Sequence, residues 1–308
     1  MDTSYNSSQQ ALIGTSLIIL GAIGFSAKSV LIKLAYADSA QVDAITLMTL
    51  RMLLALPFFV AVALWRGESK NPPSQKRDWM GLLLLGILGY YLASLLDFKG
   101  LEYISAGLER LVLFLYPTLV VFMSALLYRR PIGKPQRWAL LLSYAGIVLV
   151  YGANPQLVTS DIVLGSLLVF GSAVAFAFYL TGSGHLIPRF GSKRFTAYSM
   201  SVACVVTILH FLATRPIQQL AVSEEVFGLA IALALISTVA PAFLVNAGIR
   251  RIGASHAAII GTIGPVSTLV LAYFLLGETQ GPLQIAGSAM VLGGVALVSL
   301  TKQKEKKR

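Results

Sequence analysis

About ten apolar runs, most close to the roughly 20 residues a helix needs to cross a bilayer, follow one another along this 308-residue chain. They extend over Leu12–Ile32, Ala44–Trp65, Trp79–Leu96, Ser105–Tyr128 and Trp138–Gly152, then over Val163–Gly182, Phe195–Ala213, Val226–Asn246, Ala254–Leu276 and Pro282–Leu300. The connectors are short and polar, with turn-formers such as Asn71-Pro72-Pro73, Asn154-Pro155 and Gly281-Pro282. Composition agrees: 56% of residues are hydrophobic and 12% charged, where a soluble domain carries about 25% charged residues. With a mean hydropathy of +0.76, the chain reads as an integral membrane protein. No connector is long enough for a soluble catalytic or nucleotide-binding module.

The net charge of +11 would suggest nucleic acid in a soluble protein. Here the cations sit between the apolar runs, so a bilayer rather than nucleic acid is the expected partner. The segments after the second, fourth, sixth and eighth runs and the C-terminal tail hold about 18 of the 24 Lys and Arg residues. The opposite side has about three, Lys33, Lys99 and Arg215. The positive-inside rule therefore puts both termini in the cytoplasm, as an even number of spans requires. The first eleven residues lack Lys and Arg, so no signal peptide is expected, and the lone Cys204 excludes an intramolecular disulfide.

An internal repeat then gives the runs an order. Gly100–Val121 and Gly248–Leu269 align at an offset of 148, pairing Gly100 with Gly248, Ile104 with Ile252, Ala106 with Ala254 and Pro117 with Pro265. The register continues without a gap to Gly133/Gly281, Gln136/Gln284, Gly146/Gly294 and Val150/Val298. A fainter echo near offset 151 pairs Gly14 with Gly165, Leu17 with Leu168, Ala22 with Ala173 and Phe25 with Phe176. Five spans separate each helix from its counterpart. An odd number inverts orientation, so the expected fold is all-α and integral to the membrane, with ten transmembrane helices built as two inverted-topology five-helix repeats. The repeats are residues 1–153 and residues 154–308, the latter ending in a basic cytoplasmic tail.

Inverted repeats suit alternating access, because two similar units can exchange conformations around a midplane site. Pro117 and Pro265 are the hinge candidates, with static kinks as the alternative. A charge at bilayer depth costs about 2.5–3.5 kcal/mol even on the lenient insertion scale, so it faces a cavity or a partner. Lys28 and Arg51 are candidates for holding a substrate carboxylate. Glu109, Arg110 and Asp97 are candidates for buried charge pairing, with which Lys28 and Arg51 could equally be neutralised. Tyr90, Tyr91, Tyr116, Phe176 and Tyr179 could line an aromatic cavity or simply pack. Asn246, at the end of the eighth run, and His256, a residue able to titrate near neutral pH, complete the cavity candidates.

Several chemistries have no support. The nearest string to a phosphate-binding Walker A loop, Gly21–Ser29, lacks the second Gly. HExxH, paired Cys ligands and GxSxG are all missing from the sequence, so no enzyme activity, metal or cofactor is expected.

LEYISAGLERLVLFLYPTLVVFMSALL (Leu101–Leu127) and GIRRIGASHAAIIGTIGPVSTLVLAYFLLGE (Gly248–Glu278) resemble the drug/metabolite transporter superfamily, in its ten-span group with two EamA domains. Arg51 in LRMLLALPF is similar to the basic residue that opens the second-span motif of that group. The Gly277-Glu278 pair and the Gly-rich stretch Gly287–Gly294 resemble its ending. Two departures are Arg129-Arg130, where Gly-Glu is common, and Phe25, where Trp is usual. The resemblance, which includes bacterial exporters of aromatic and other amino acids, implies a multi-pass protein of the bacterial inner membrane. It implies export of small metabolites through a cavity between spans one to four and six to nine. The fifth and tenth spans would serve packing, or contact in a homodimer if the chain is not a monomer. A sugar-phosphate or nucleotide-sugar exchanger, or a non-saturating channel, is the alternative.

Overall fold

A computed structural model describes residues 2–38, 42–65, 75–129, 132–152, 159–261 and 263–306. The side chains of residues 2–8, 246, 253–256, 258, 259 and 298–306 lie outside that description, as do Arg130 and the turns at Asn71-Pro72-Pro73 and Asn154-Pro155.

The described residues are helical almost throughout and form no strand. The helices are α1 (Asp2–Asp38), α2 (Ala44–Leu64), α3 (Lys76–Gly86), α4 (Ala93–Tyr103), α5 (Ala106–Leu113), α6 (Tyr116–Tyr128) and α7 (Lys134–Gly152). The second half has α8 (Ser160–Phe190), α9 (Ser192–Thr214), α10 (Glu224–Ala234), α11 (Ala240–Gly261), α12 (Ile263–Leu276) and α13 (Pro282–Lys306). Seven continuous stretches among the described residues are long and apolar enough to cross a membrane: Gln9–Asp38, Ala44–Leu64, Lys76–Tyr103, Ala106–Tyr128, Ser160–Phe190, Ser192–Thr214 and Glu224–Ile252. Ile263–Leu276 and Pro282–Leu297 are apolar but shorter.

Four helices begin at a side chain that accepts from a free N–H group of the first turn. Asp43 caps α2, Ser105 caps α5, Thr159 caps α8 and Ser223 caps α10. The entries to α7 and α13 are alike. Gln136 accepts from the Gly133 N–H at 2.8 Å, and Gln284 accepts from the Gly281 N–H at 2.9 Å. The exits of α6 and α12 are alike too. Arg129 and Gly277, 148 positions apart, both adopt the left-handed backbone, with φ of 51° and 68°. Gly277 does so without a Cβ penalty, whereas Arg129 carries one.

Two π-helical segments interrupt the helices, Ile87–Leu92 between α3 and α4 and Leu235–Val239 between α10 and α11. Their starts are also 148 residues apart (235 minus 87). Such bulges leave carbonyls free for other donors and are frequent at functional sites.

Packing repeats in the same register. Gly14 of α1 meets Gly248 of α11, and a Cβ on Gly248 would lie 2.6 Å from Ile18 and 2.9 Å from the Gly14 carbonyl. Gly165 of α8 meets Gly100 of α4, and a Cβ on Gly100 would lie 2.5 Å from Val169 and 2.9 Å from the Gly165 carbonyl. In α7 and α13 the two strands of this register meet each other. Gly146 faces Gly287 across a backbone approach that would put an added Cβ 2.6 Å from the opposite carbonyl, while Gly294 faces Ala139 and Ser143. Position rises along α7 as it falls along α13, so the two helices run antiparallel.

The structure departs from the expected helices in two places. The span Ala106–Tyr128 is interrupted by a two-residue turn at Phe114 and Leu115, and Pro117 sits in the first turn of α6. A first turn is where a residue without an N–H costs least. Pro265 lies in α12, and residue 262, between α11 and α12, is outside the described residues. The second departure is α11, which runs from Ala240 to Gly261 where a loop was expected between the eighth and ninth runs. Ser105 starts a new helix in the first half by bonding the Leu108 N–H, whereas its counterpart at offset 148 is Gly253, with no side chain to do so.

Candidate functional site

The buried charges gather where α1, α4 and α5 meet. The ammonium of Lys28 on α1 donates to Asp97 Oδ2 of α4 at 2.5 Å and stands 3.8 Å from Glu109 Oε1 of α5. Asp97 is 1% exposed and Glu109 not at all. The two carboxyl groups stand side by side, yet Asp97 Oδ1 and both oxygens of Glu109 are buried without a hydrogen bond. A buried carboxylate oxygen is ordinarily bonded, so three orphaned atoms in one place mark an unfinished network.

Arg110, the neighbour of Glu109, turns the other way and stitches the two halves together. Its Nε donates to Thr268 Oγ1 of α12 at 2.9 Å and its Nη2 to the Phe25 carbonyl of α1 at 2.7 Å. Thr268 donates in turn to the Ser26 carbonyl, and the Ser26 hydroxyl lies 2.7 Å from the Gly264 carbonyl. Arg51 of α2 is anchored across the bundle in the second π-helical segment. Its Nε donates to Thr238 Oγ1 at 2.7 Å, and Thr238 passes the bond to the Leu233 carbonyl, five residues back. The Arg51 guanidinium stands 5.4 Å from the Phe98 ring centroid, while its Nη1 is buried without a partner.

The aromatic candidates divide into two groups. Tyr179 donates to the Tyr90 hydroxyl at 3.0 Å, with ring centroids 4.8 Å apart, in a stack that continues through Phe176 to Tyr116. Gly89 in the first π-helical segment is required here, because any Cβ would enter the Tyr179 ring. Tyr91 points elsewhere and bonds His210 Nδ1 at 2.9 Å. Asn246 and His256 lie on α11, but their side chains are outside the described residues.

The sequence reading missed several polar groups at these crossings. Thr238, Thr268 and Ser26 are short side chains in apolar runs, with no local signal that each would receive or pass on a bond from a distant helix. Glu278 had a signal, the Gly277-Glu278 pair. Its carboxylate accepts from the Ala106 and Gly107 N–H groups at 2.8 and 3.0 Å, at the N-terminus of α5, where a negative charge is favoured. A cavity of about 300 Å³ lined by Gln10, Ala247, Arg250 and Arg251 opens at one end of α1. Gln10 is about 27 Å along the helix from Lys28 (18 residues at 1.5 Å), so this opening is not the charged cluster itself.

Outside the spans, Arg215 grips Asp43 from Nε and Nη2 at 2.9 and 2.6 Å, tying the start of α2 to the end of α9. Burial alone would raise the Asp43 carboxyl, but hydrogen bonds from Thr46 and the Arg215 guanidinium together hold it below its ordinary 3.8. A second pair, Asp78 and Arg189, ties the start of α3 to the end of α8.

Residues 12–152 and 163–300 each match the EamA-like transporter family. A Bacillus subtilis protein named uncharacterized transporter YcbK is 32% identical over 295 residues, which cover 94% of this chain and 92% of that protein. Salmonella typhimurium has an uncharacterized inner membrane transporter, YicL, 28% identical over 275 residues, covering 87% of this chain and 89% of its own. A solved crystal structure of a protein 20% identical to this one superposes with a TM-score of 0.63, over 96% of this chain and 98% of that one, a likeness of fold alone. With two family matches that leave out little more than the connector and the ends, on a bundle of apolar helices, the chain belongs to the EamA-like transporters of the drug/metabolite transporter superfamily and is a membrane transporter.

Proposed function

We propose that this transporter exports amino acids or similar small amphipathic metabolites from the cytoplasm of a bacterium by alternating access. In this reading ten spans form two inverted five-helix repeats, residues 1–153 and 154–308, in the inner membrane with both termini cytoplasmic. The observation that carries it is the reciprocal packing: Gly14 with Gly248 and Gly165 with Gly100, and α7 antiparallel to α13. Two units that make the same contacts in opposite orientation can trade conformations at little cost, and this opens a shared site first to one side and then to the other. The name of YicL supports the inner membrane.

The lean towards a zwitterionic solute rests on the unsatisfied atoms. Arg51 Nη1 is a buried donor without an acceptor, while Asp97 Oδ1 and the Glu109 oxygens are buried acceptors without donors. A solute with both a carboxylate and an ammonium supplies what each lacks, and the Tyr90–Tyr179–Phe176 stack offers its side chain an apolar wall. A sugar-phosphate exchanger would want two free cations, but Lys28 is already held by Asp97. The outward faces of α7 and α13, with Val148 and Ile285 well exposed, are left for lipid or for a second copy of the chain.

The test is flux from proteoliposomes loaded with labelled proteinogenic amino acids. Saturable efflux with counterflow is the expected result. Flux no faster than from empty liposomes across the whole panel overturns the amino-acid assignment, and flux without saturation or counterflow replaces the transporter by a channel.

A further inference from the structure

We propose that Lys28, Asp97 and Glu109 form a proton-carrying site, in which Glu109 holds a proton shared with Asp97 and releases it to solution when the bundle opens. Export is then exchange: one proton enters as solute leaves. This builds on the transport reading above but not on the identity of the solute.

The hydrogen bonds carry the argument. With both acids ionised, Glu109 Oε1 and Oε2 and Asp97 Oδ1 are buried acceptors with no donor within hydrogen-bond distance. A single proton on Glu109 turns that side chain into a donor for Asp97 Oδ1 and satisfies one orphan on each residue at once. Lys28 makes the site reversible. Its ammonium lies 2.5 Å from Asp97 and 3.8 Å from Glu109, so as the proton leaves it can sit between the two carboxylates, and neither is left out of reach of a cation in the bilayer.

The other groups around Glu109 are occupied. Arg110 is turned onto Thr268 and the Phe25 carbonyl. Glu278 holds the first turn of α5 through backbone N–H groups. On α1 and α4, Lys33 bonds the Leu101 carbonyl and Glu102 the Ala44 N–H, nearer the helix ends. Arg51 of α2, which lies within the field of Asp97, is bonded to Thr238. Of the ionisable groups on α8, Tyr179 bonds Tyr90, His185 bonds Tyr128, Arg189 pairs with Asp78, and Asp161 is exposed. Tyr273 of α12 faces outward.

The site is also single. Its counterparts in the second half are Tyr179 (28 plus 151), Val245 (97 plus 148) and Ala257 (109 plus 148), none of them a carboxylic acid. The expected stoichiometry is therefore one proton per cycle.

Two measurements on the full-length protein test this. Infrared titration of purified protein in lipid should give a carboxylic-acid carbonyl band at neutral pH that disappears in alkali. The band should be absent from Glu109→Gln and present but shifted in Asp97→Asn. In proteoliposomes holding a pH-sensitive dye and the amino-acid panel, efflux from the wild type should move protons inward. Glu109→Gln, at whatever rate it passes solute downhill, should lose that proton movement, and Glu109→Asp should restore part of it. A wild type without the band, or a Glu109→Gln protein that still couples efflux to protons, overturns the proposal. If Glu109→Gln yields no monodisperse protein, the Asp97→Asn shift and the Glu109→Asp flux decide the matter. If no amino acid moves, the solute assignment has failed and the infrared titration still reads the proton.

Discussion

Lys28 and Tyr179 occupy equivalent places, 151 residues apart, on helices that cross their partners through matching glycines. One carries an ammonium set between two carboxyl groups. The other carries a phenol stacked among rings and bonded to a single hydroxyl. The difference teaches which parts of a duplicated membrane fold are free to change. Backbone approaches at Gly100, Gly146, Gly248 and Gly287 admit no side chain, so the scaffold repeats. Between those approaches each half needs only to satisfy what it buries, and the two have done so by different means, one with charge and one with π-surface.

The largest effect should come from breaking the charged member of the pair. Lys28→Met strands a carboxylate in the bundle and should cost about 3–5 kcal/mol, because removing one partner leaves the other buried and unpaired. It should be read as a lower midpoint of thermal unfolding in detergent. Lys28→Met combined with Asp97→Asn should recover much of that loss. If the double variant is no more stable than the single one, the cluster is not the ion pair described. Next comes the scaffold the two halves share. Gly287→Ala places a Cβ against the Gly146 carbonyl and the Val150 amide, backbone that cannot swing aside, and should cost about 1–3 kcal/mol in the same assay. The aromatic member should be milder. Tyr179→Phe removes one hydrogen bond and keeps the stack, for about 0.5–1.5 kcal/mol. A loss as large as that of Lys28→Met would erase the contrast between the two halves.

The smallest effect belongs to the part-exposed ion pair. Asp43 is held below its ordinary carboxyl value by Thr46 and Arg215 despite partial burial, so its contribution to stability is fully present above that value. It fades as pH falls through the lower folded value, that is, below about pH 4. Exposed pairs of this kind contribute about 0.2–1 kcal/mol. Arg215→Gln should therefore flatten the acid limb of a stability–pH curve and leave the neutral region nearly unchanged.

Much of the scaffold could be read from the sequence, because the features that repeat are ones only particular residues can supply. Gly133 and Gln136 match Gly281 and Gln284, and both pairs make the same helix-entry bond. Gly14/Gly165 and Gly100/Gly248 mark the two equivalent crossings. The site was less legible. Asp97 and Glu109 stood out as costly charges and Lys28 as a candidate partner, but nothing local tells which pairs form across three helices. Arg51 could be read as a cation for substrate or as the partner of a buried acid, but not as the donor to Thr238, because a threonine in an apolar run carries no mark of its partner. The π-helical segments left no pattern either. ILGYYL and LISTV share only their position, and the bulges depend on what packs against them. At Pro117 the sequence marks a bend but not its form, a two-residue turn at Phe114 and Leu115 between α5 and α6.

The antiparallel pair of α7 and α13, meeting backbone to backbone at Gly146 and Gly287, sets a limit on how the molecule can move. Helices separated by side chains can slide as rotamers adjust, but two main chains in contact have no such play. The pair is a fixed spine, so opening and closing must be distributed among the remaining helices. Amide exchange with deuterium should be slowest along this seam, and a covalent cross-link placed within it should leave turnover intact.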